Sequence, residues 1–178
     1  MPLLKHGKLA DGVRIFLEDG SPLPAAGEFI VSAQRFAAEK DALLARNAPI
    51  AVRLGPSDDP MTLADHLDRI SLIEVVFPKY TDGRGYSIAE LLRRRLGYRG
   101  ELRAVGQVLR DQLNLMVRTG FDAMILDPAA LGEADPEAIF KHAVGFFSDV
   151  YQASADGRET VFAKRHKANR PAKSEKVG

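Results

Sequence analysis

The sequence predicts an α/β fold of about five βα units forming a parallel sheet, either a TIM-barrel-like arc or an open Rossmann-like sheet. Three observations predict it: short apolar runs recur along the chain, helical patterns separate them, and the runs are almost evenly spaced. They cover residues 28–31, 50–54, 72–77, 101–105 and 122–126, and their starts lie 22, 22, 29 and 21 residues apart. Strands alternating with helices point to βαβ units, because parallel neighbours need a crossover long enough to hold a helix. The pattern does not order the strands. An incomplete arc would expose strand edges, which proteins cover or pair, so the arc reading carries the expectation of a homodimer.

The helices between the runs have recognisable starts and stops. Asp59 before Pro60 offers a capping carboxylate and a first-turn proline, with Leu63, Leu67 and Ile70 following at helical spacing. Ser87 is placed to cap a helix whose inward face is Ile88, Leu91, Leu92 and Leu96, ended by Gly97. A further helix from Gln107 carries Leu109, Leu113, Met116 and Val117 and stops at Gly120. Asp135 and Pro136 open a last one with a broad stripe of Ile139, Phe140, Ala143, Val144, Phe146, Phe147, Val150 and Tyr151. That stripe reads as core ahead of a partner surface.

The domain reading has three parts. Residues 1–27 form an N-terminal extension with a short strand near residues 13–17, ended by the turn signals Asp19, Gly20 and Pro22. Residues 28–154 form the α/β domain. Residues 155–178 form a basic tail, expected to be disordered, with seven Lys/Arg against two Glu from Arg158 onward.

Composition narrows the function. In 178 residues, 25 Lys and Arg stand against 24 Asp and Glu, a net charge of +1 that argues against general nucleic-acid binding. The chain has no cysteine, which removes disulfides, thiolate catalysis and cysteine-held clusters. His6, His66, His142 and His166 lack metal-ligand spacing, so no metal site is expected. No dinucleotide fingerprint, P-loop or nucleophile elbow appears, and no cofactor is evident. The N-terminus has no apolar leader core, and no run approaches the ~20 residues of a membrane span. A cytoplasmic protein without a membrane partner is the expectation.

In parallel α/β folds the working residues gather on loops after the strands' carboxyl ends. The loop after residue 77 is the longest and accounts for the 29-residue step. It supplies Lys79, Asp82, Arg84, Gly85, Tyr86 and Ser87. A turn at Asp82 and Gly83, a glycine permitting close approach and a helix start suit an anion. With Arg103 and Arg110 from the next unit, Lys79 and Arg84 make a four-cation set for a carboxylate, phosphate or sulfur oxyanion. Asp82 and Asp111 are the weak candidates for a base. The alternative, weighed equally, is that these cations pair with Asp82, Glu101 and Asp111 and only fix the loop. Arg93, Arg94 and Arg95 read as a solvated helix face.

The segment from Phe77-Pro78-Lys79-Tyr80-Thr81-Asp82-Gly83-Arg84-Gly85-Tyr86-Ser87 to Gly97-Tyr98 carries a family resemblance. So do Gly100-Glu101-Leu102-Arg103-Ala104-Val105-Gly106, Val108 to Leu113, and Gly120-Phe121-Asp122. Over roughly residues 50–150 the chain resembles DUF934, a bacterial family of unknown function. The resemblance implies an oxidoreductase label and a gene neighbourhood of sulfite reductase and adenylylsulfate-reducing enzymes. It implies no catalytic residues. Thr119 stands where relatives carry a cysteine, so that cysteine is not essential here.

Two expectations follow. The first is an accessory protein of assimilatory sulfate or sulfite reduction that contacts sulfite reductase or another sulfur-assimilation enzyme. The second is a small enzyme or binding protein for an anionic metabolite, working through residues 79–87. A redox enzyme without cysteine would need a bound flavin, nicotinamide or metal.

Overall fold

The computed structural model describes residues 1–12, 14–24, 26–127, 131–132, 134–145, 153–155 and 157–168. The chain opens with a hairpin of β1 (Leu3–Lys5) and β2 (Lys8–Ala10). Its turn residues His6 and Gly7 both have positive φ, 50° and 80°, as a two-residue turn needs to match strand twist. β3 (Ile15–Phe16) and β4 (Phe29–Ser32) follow, then α1 (Ala33–Ala38), α2 (Lys40–Ala45) and β5 (Ile50–Leu54). Next come a 3-10 turn at Pro60–His66, β6 (Ile70–Phe77), α3 (Arg84–Glu90) and a π-helical turn at Leu91–Arg95. β7 (Glu101–Gly106), a 3-10 turn at Arg110–Gln112, α4 (Leu113–Thr119) and β8 (Ala123–Ile125) complete the units. α5 (Pro136–Gly145) and α6 (Val161–Ala168) come last.

Each of the five apolar runs forms a strand. Among the described residues the sheet has eight strands in the order β2-β1-β8-β7-β6-β5-β4-β3. From β3 to β8 all neighbours are parallel and follow the chain without a reversal, which is a barrel-like arc and not a Rossmann switch point. The expectation of a parallel sheet needs one correction. β1 runs antiparallel to both β2 and β8, so the sheet is mixed. The reason is topological: a hairpin needs no crossover, so the N-terminal segment can join the edge beside β8 directly.

The sheet curls into a half-barrel. β2 and β3 occupy opposite edges, yet only residues 11–14 join them. At full stretch that connection reaches about 18 Å. Eight flat strands would hold their edges about 34 Å apart. β2 and β3 thus approach each other across the mouth of the arc. The edges are managed within the chain: β3 is two residues long, and the Leu9 N–H of β2 donates to Glu137 Oε1 at 2.8 Å.

The outer face carries the core. Val31, Val52, Leu54, Ile73, Val75, Phe77, Leu102, Ala104 and Met124 point to it and pack with Phe36, Leu43, Leu63, Ile88, Leu92, Leu113 and Met116. Alternate residues point into the arc. There two small apolar clusters, around Ile30, Ala51 and Leu72 and around Leu3, Val105 and Ile125, flank an ionic row. Arg53, Glu74 and Arg103 are register partners on adjacent strands. Glu74 takes Arg53 at 2.7 Å and Arg103 at 3.5 Å. Arg103 continues to Glu101 at 2.6 Å, and Glu101 to Lys5 at 2.7 Å. Arg103 also donates to the Gly12 carbonyl at 3.3 Å, tying the bridging segment to the row.

Three local expectations change. Asp59 does cap, its side chain accepting from the Met61 N–H, but the turn it starts is 3-10 and Ile70 already belongs to β6. Arg93 does not lie on a solvated face. The π turn swings it inward to donate to the carbonyls of Tyr98, Gly100 and Gly120 and to pair with Asp122. In α5, Ile139, Phe140 and Ala143 pack against the core, while Phe146, Phe147, Val150 and Tyr151 lie outside the described residues. Within residues 155–178, Val161–Ala168 is helical and residues 169–178 lie outside the description.

Candidate functional site

The connections after β5, β6 and β7 form a rim at the carboxyl edge of the sheet, and Phe77 fixes it. Its ring lies 5.0 Å from Tyr86 and 5.8 Å from Phe121, and its side chain is fully buried. Gly85 sits directly on that ring: a Cβ there would lie 2.5 Å from Phe77 Cζ. Gly106 has φ +100°, and a Cβ there would overlap the Phe77 carbonyl oxygen, which accepts from the Gln107 N–H at 2.8 Å. The close approach expected of Gly85 is therefore to an aromatic ring of the same chain.

The loop that leads into Gly85 is braced. The Asp82 N–H donates to the Lys79 carbonyl at 3.0 Å, closing the turn. The Asp82 carboxylate accepts from the Arg84 N–H and from its guanidinium, at 2.7 Å from Nη2. Those hydrogen bonds hold the Asp82 carboxyl below its usual range and raise the Arg84 guanidinium. Arg84 Nη1 also reaches Ser57 Oγ at 3.3 Å on the neighbouring connection.

Tyr80 is held by two glutamines of the next connection. Its N–H donates to Gln107 Oε1 at 3.3 Å, and its carbonyl accepts from Gln112 Nε2 at 2.8 Å. Gln112 in turn accepts from the Leu109 N–H at 2.9 Å. The backbone of Tyr80 is pinned, and its side chain stands 57% exposed beside exposed Lys79. Tyr86 packs beneath. Burial, then the nearby Asp111 carboxylate, pushes its hydroxyl up, opposed by a hydrogen bond with Gln112.

The residues singled out from sequence divide into two groups. Lys79, Asp82, Arg84, Gly85, Tyr86, Ser87, Arg110 and Asp111 all belong to the connections at this edge. Arg103 does not join them. It lies within β7 on the inner face, 3% exposed, and its guanidinium is spent on Glu101, Glu74 and Gly12. Ser87 is not a helix cap, because α3 begins at Arg84 and Ser87 sits within it, exposed. The carboxylate of Asp82 already takes the Arg84 N–H that an anion would use. Arg84 and Arg103 thus follow the pairing alternative. The side chains of Lys79 and Arg110 have no ion-pair partner among the described residues.

Sequence reasoning includes Tyr80 within the loop of residues 79–87 and Gln107 within the connection after residue 105, but gives neither a role of its own, and it misses Gln112. Their signal was available, since all three are polar or aromatic residues within connections that follow strands. Thr119, by contrast, bonds the carbonyls of Leu115 and Met116 at 3.0 and 3.1 Å within its own helix. Beside the rim a cavity of about 610 Å³ opens between the start of α4 and α5, lined in part by Arg110, Asp111, Ile139 and His142.

Fold and rim together define an α/β half-barrel with helices on one face and an aromatic, cation-bearing carboxyl edge. The family model described as "Bacterial protein of unknown function (DUF934)" matches residues 51–162, and the chain belongs to that family. The match takes in β5 through β8 and therefore the whole rim. No curated protein matches the chain.

Proposed function

We propose that this protein is an accessory protein of assimilatory sulfate or sulfite reduction that docks on sulfite reductase, or on a related sulfur-assimilation enzyme, through the rim around Tyr80. The observation that carries the reading is the pinned backbone and exposed ring of Tyr80. Interface hot spots are enriched in aromatic side chains, and a ring whose backbone is already fixed loses little freedom on binding. Lys79, Arg84 and Arg110 bring positive charge to the same connections, and among the described residues only Arg84 of the three is matched by a carboxylate. Such a surface suits an acidic patch on a partner. Met61, on the connection after β5, adds a half-exposed apolar side chain to the same edge. The sulfur assignment rests on the gene neighbourhood that family resemblance implies.

The test is co-purification of the tagged chain with sulfite reductase from cells growing on sulfate, alongside growth of a deletion strain on sulfate. Association and a growth defect support the reading. No association together with unimpaired growth removes it. Sedimentation of the chain alone distinguishes this from self-association into a homodimer.

The second reading, a small enzyme or binding protein for an anionic metabolite at the loop of residues 79–87, is favoured by the unmatched charges of Lys79 and Arg110. It ranks lower because Arg84 and Arg103, half of its cation set, are already neutralised. Stabilisation of the protein by sulfite, phosphate or adenylylsulfate, lost in Arg84→Ala, would place it first.

A further inference from the structure

The cavity beside the rim shares Arg110 with the docking surface but is otherwise lined by different residues, and its chemistry is mixed in a specific way. It lies between the 3-10 turn Arg110–Gln112 with α4 on one side and α5 on the other, is open to solvent and offers about 610 Å³. Small-molecule sites commonly span ~300–1,000 Å³. One wall carries a guanidinium, Arg110, and a carboxylate, Asp111. The opposite wall carries Ala138, Ile139, Ala143 and the imidazole of His142. Neither Arg110 nor Asp111 has a salt bridge among the described residues. The two helical walls are tied together by Asn114, whose amide donates to the carbonyls of Ala143 and Val144, both at 3.3 Å. The cavity is thus a fixed gap between packed elements.

We propose that this cavity binds a small zwitterion of the amino-acid type with an apolar side chain. Its acid group meets Arg110, its ammonium meets Asp111, and its apolar part lies on Ala138, Ile139 and Ala143. A simple anion would satisfy Arg110 but sit against the Asp111 carboxylate, and a simple cation would suffer the reverse. An apolar molecule would engage neither charge. A molecule bearing both charges and an apolar body matches Arg110, Asp111 and the apolar side chains among the described lining. Planar recognition of a carboxylate by guanidinium adds direction to the first contact. The inference does not rest on docking at Tyr80, and its measurement needs no partner protein.

The experiment is calorimetric titration of the full chain with three molecules of one shape: free phenylalanine, 3-phenylpropionate and phenethylamine. The expected result is saturable binding of phenylalanine, with each single-charge analogue weaker by about tenfold or more. Arg110→Gln should weaken phenylalanine by a similar factor, and Ala138→Trp, which fills the cavity from an exposed helix position, should abolish binding. Both variants are checked for an unchanged melting temperature. Equal binding of the three molecules overturns the proposal, as does phenylalanine binding that survives Ala138→Trp, or no binding by the unaltered protein.

Discussion

Gly85 lies on the face of Phe77, so closely that a single added methyl would stand 2.5 Å from the ring. This relationship explains why a glycine stands in the first turn of α3. The missing side chain lets α3 sit on the last residue of β6 and sets where the rim loop returns. Gly85→Ala should destabilise the protein by about 1–3 kcal/mol through overpacking. Combining it with Phe77→Leu should cost less than the two single changes added together. Denaturant unfolding of the four proteins checks both statements.

The ionic row inside the arc is a second test. Glu74 is 1% exposed and receives both Arg53 and Arg103. Glu74→Gln leaves two guanidinium groups without their shared carboxylate, one of them buried. The expected loss is roughly 3–5 kcal/mol, read as a lower denaturation midpoint at unchanged slope.

The same row makes stability depend on acid. Burial alone would raise the Glu101 carboxyl, but hydrogen bonds from Lys5 and Arg103 outweigh it and the net shift is downward. A carboxyl lowered in the folded state contributes stability that is complete above its unfolded pKa and lost as pH falls through the folded one. Melting curves of the unaltered protein and Glu101→Gln should therefore differ at neutral pH and converge in acid.

Adjacent arginines should behave differently. Arg93 ties three carbonyls and Asp122 together, whereas Arg94 makes one exposed pair with Glu90. Arg93→Lys should cost about 1.5–3 kcal/mol. Arg94→Lys should stay within about 0.5 kcal/mol. Gly120 belongs to the same knot: it has φ +102°, and a Cβ there would meet Arg93 Cγ at 2.5 Å.

The run of strands was legible because burial on the outer face and the crossover length both leave marks in one dimension. Residues 50–54 are the clearest case, since the predicted run and β5 coincide. The β1–β2 hairpin was not legible: His6 at positive φ carries no turn signature of the Asn-Gly kind, and pairing with β8 is a contact over more than a hundred residues. Arg103 was misplaced for a reason of parity. Leu102 and Ala104 face the helices, so Arg103 faces the interior, and only the register with Glu74 reveals its partner. Ser87 reads as a cap because the sequence does not show that Gly85 fits inside the helix. Arg93 was read as solvated because a π turn shifts the helical phase without any composition signal. For the rim, the loop's length and charge were visible, but the clamp on Tyr80 depends on two glutamines from another unit.

The docking surface gives the most direct test of the account. Titration of sulfite reductase with the unaltered chain and with Tyr80→Ala should show saturable binding that the substitution weakens by about thirtyfold or more, at an unchanged melting temperature. Equal affinity for the two proteins, or no binding by the unaltered chain, would contradict it.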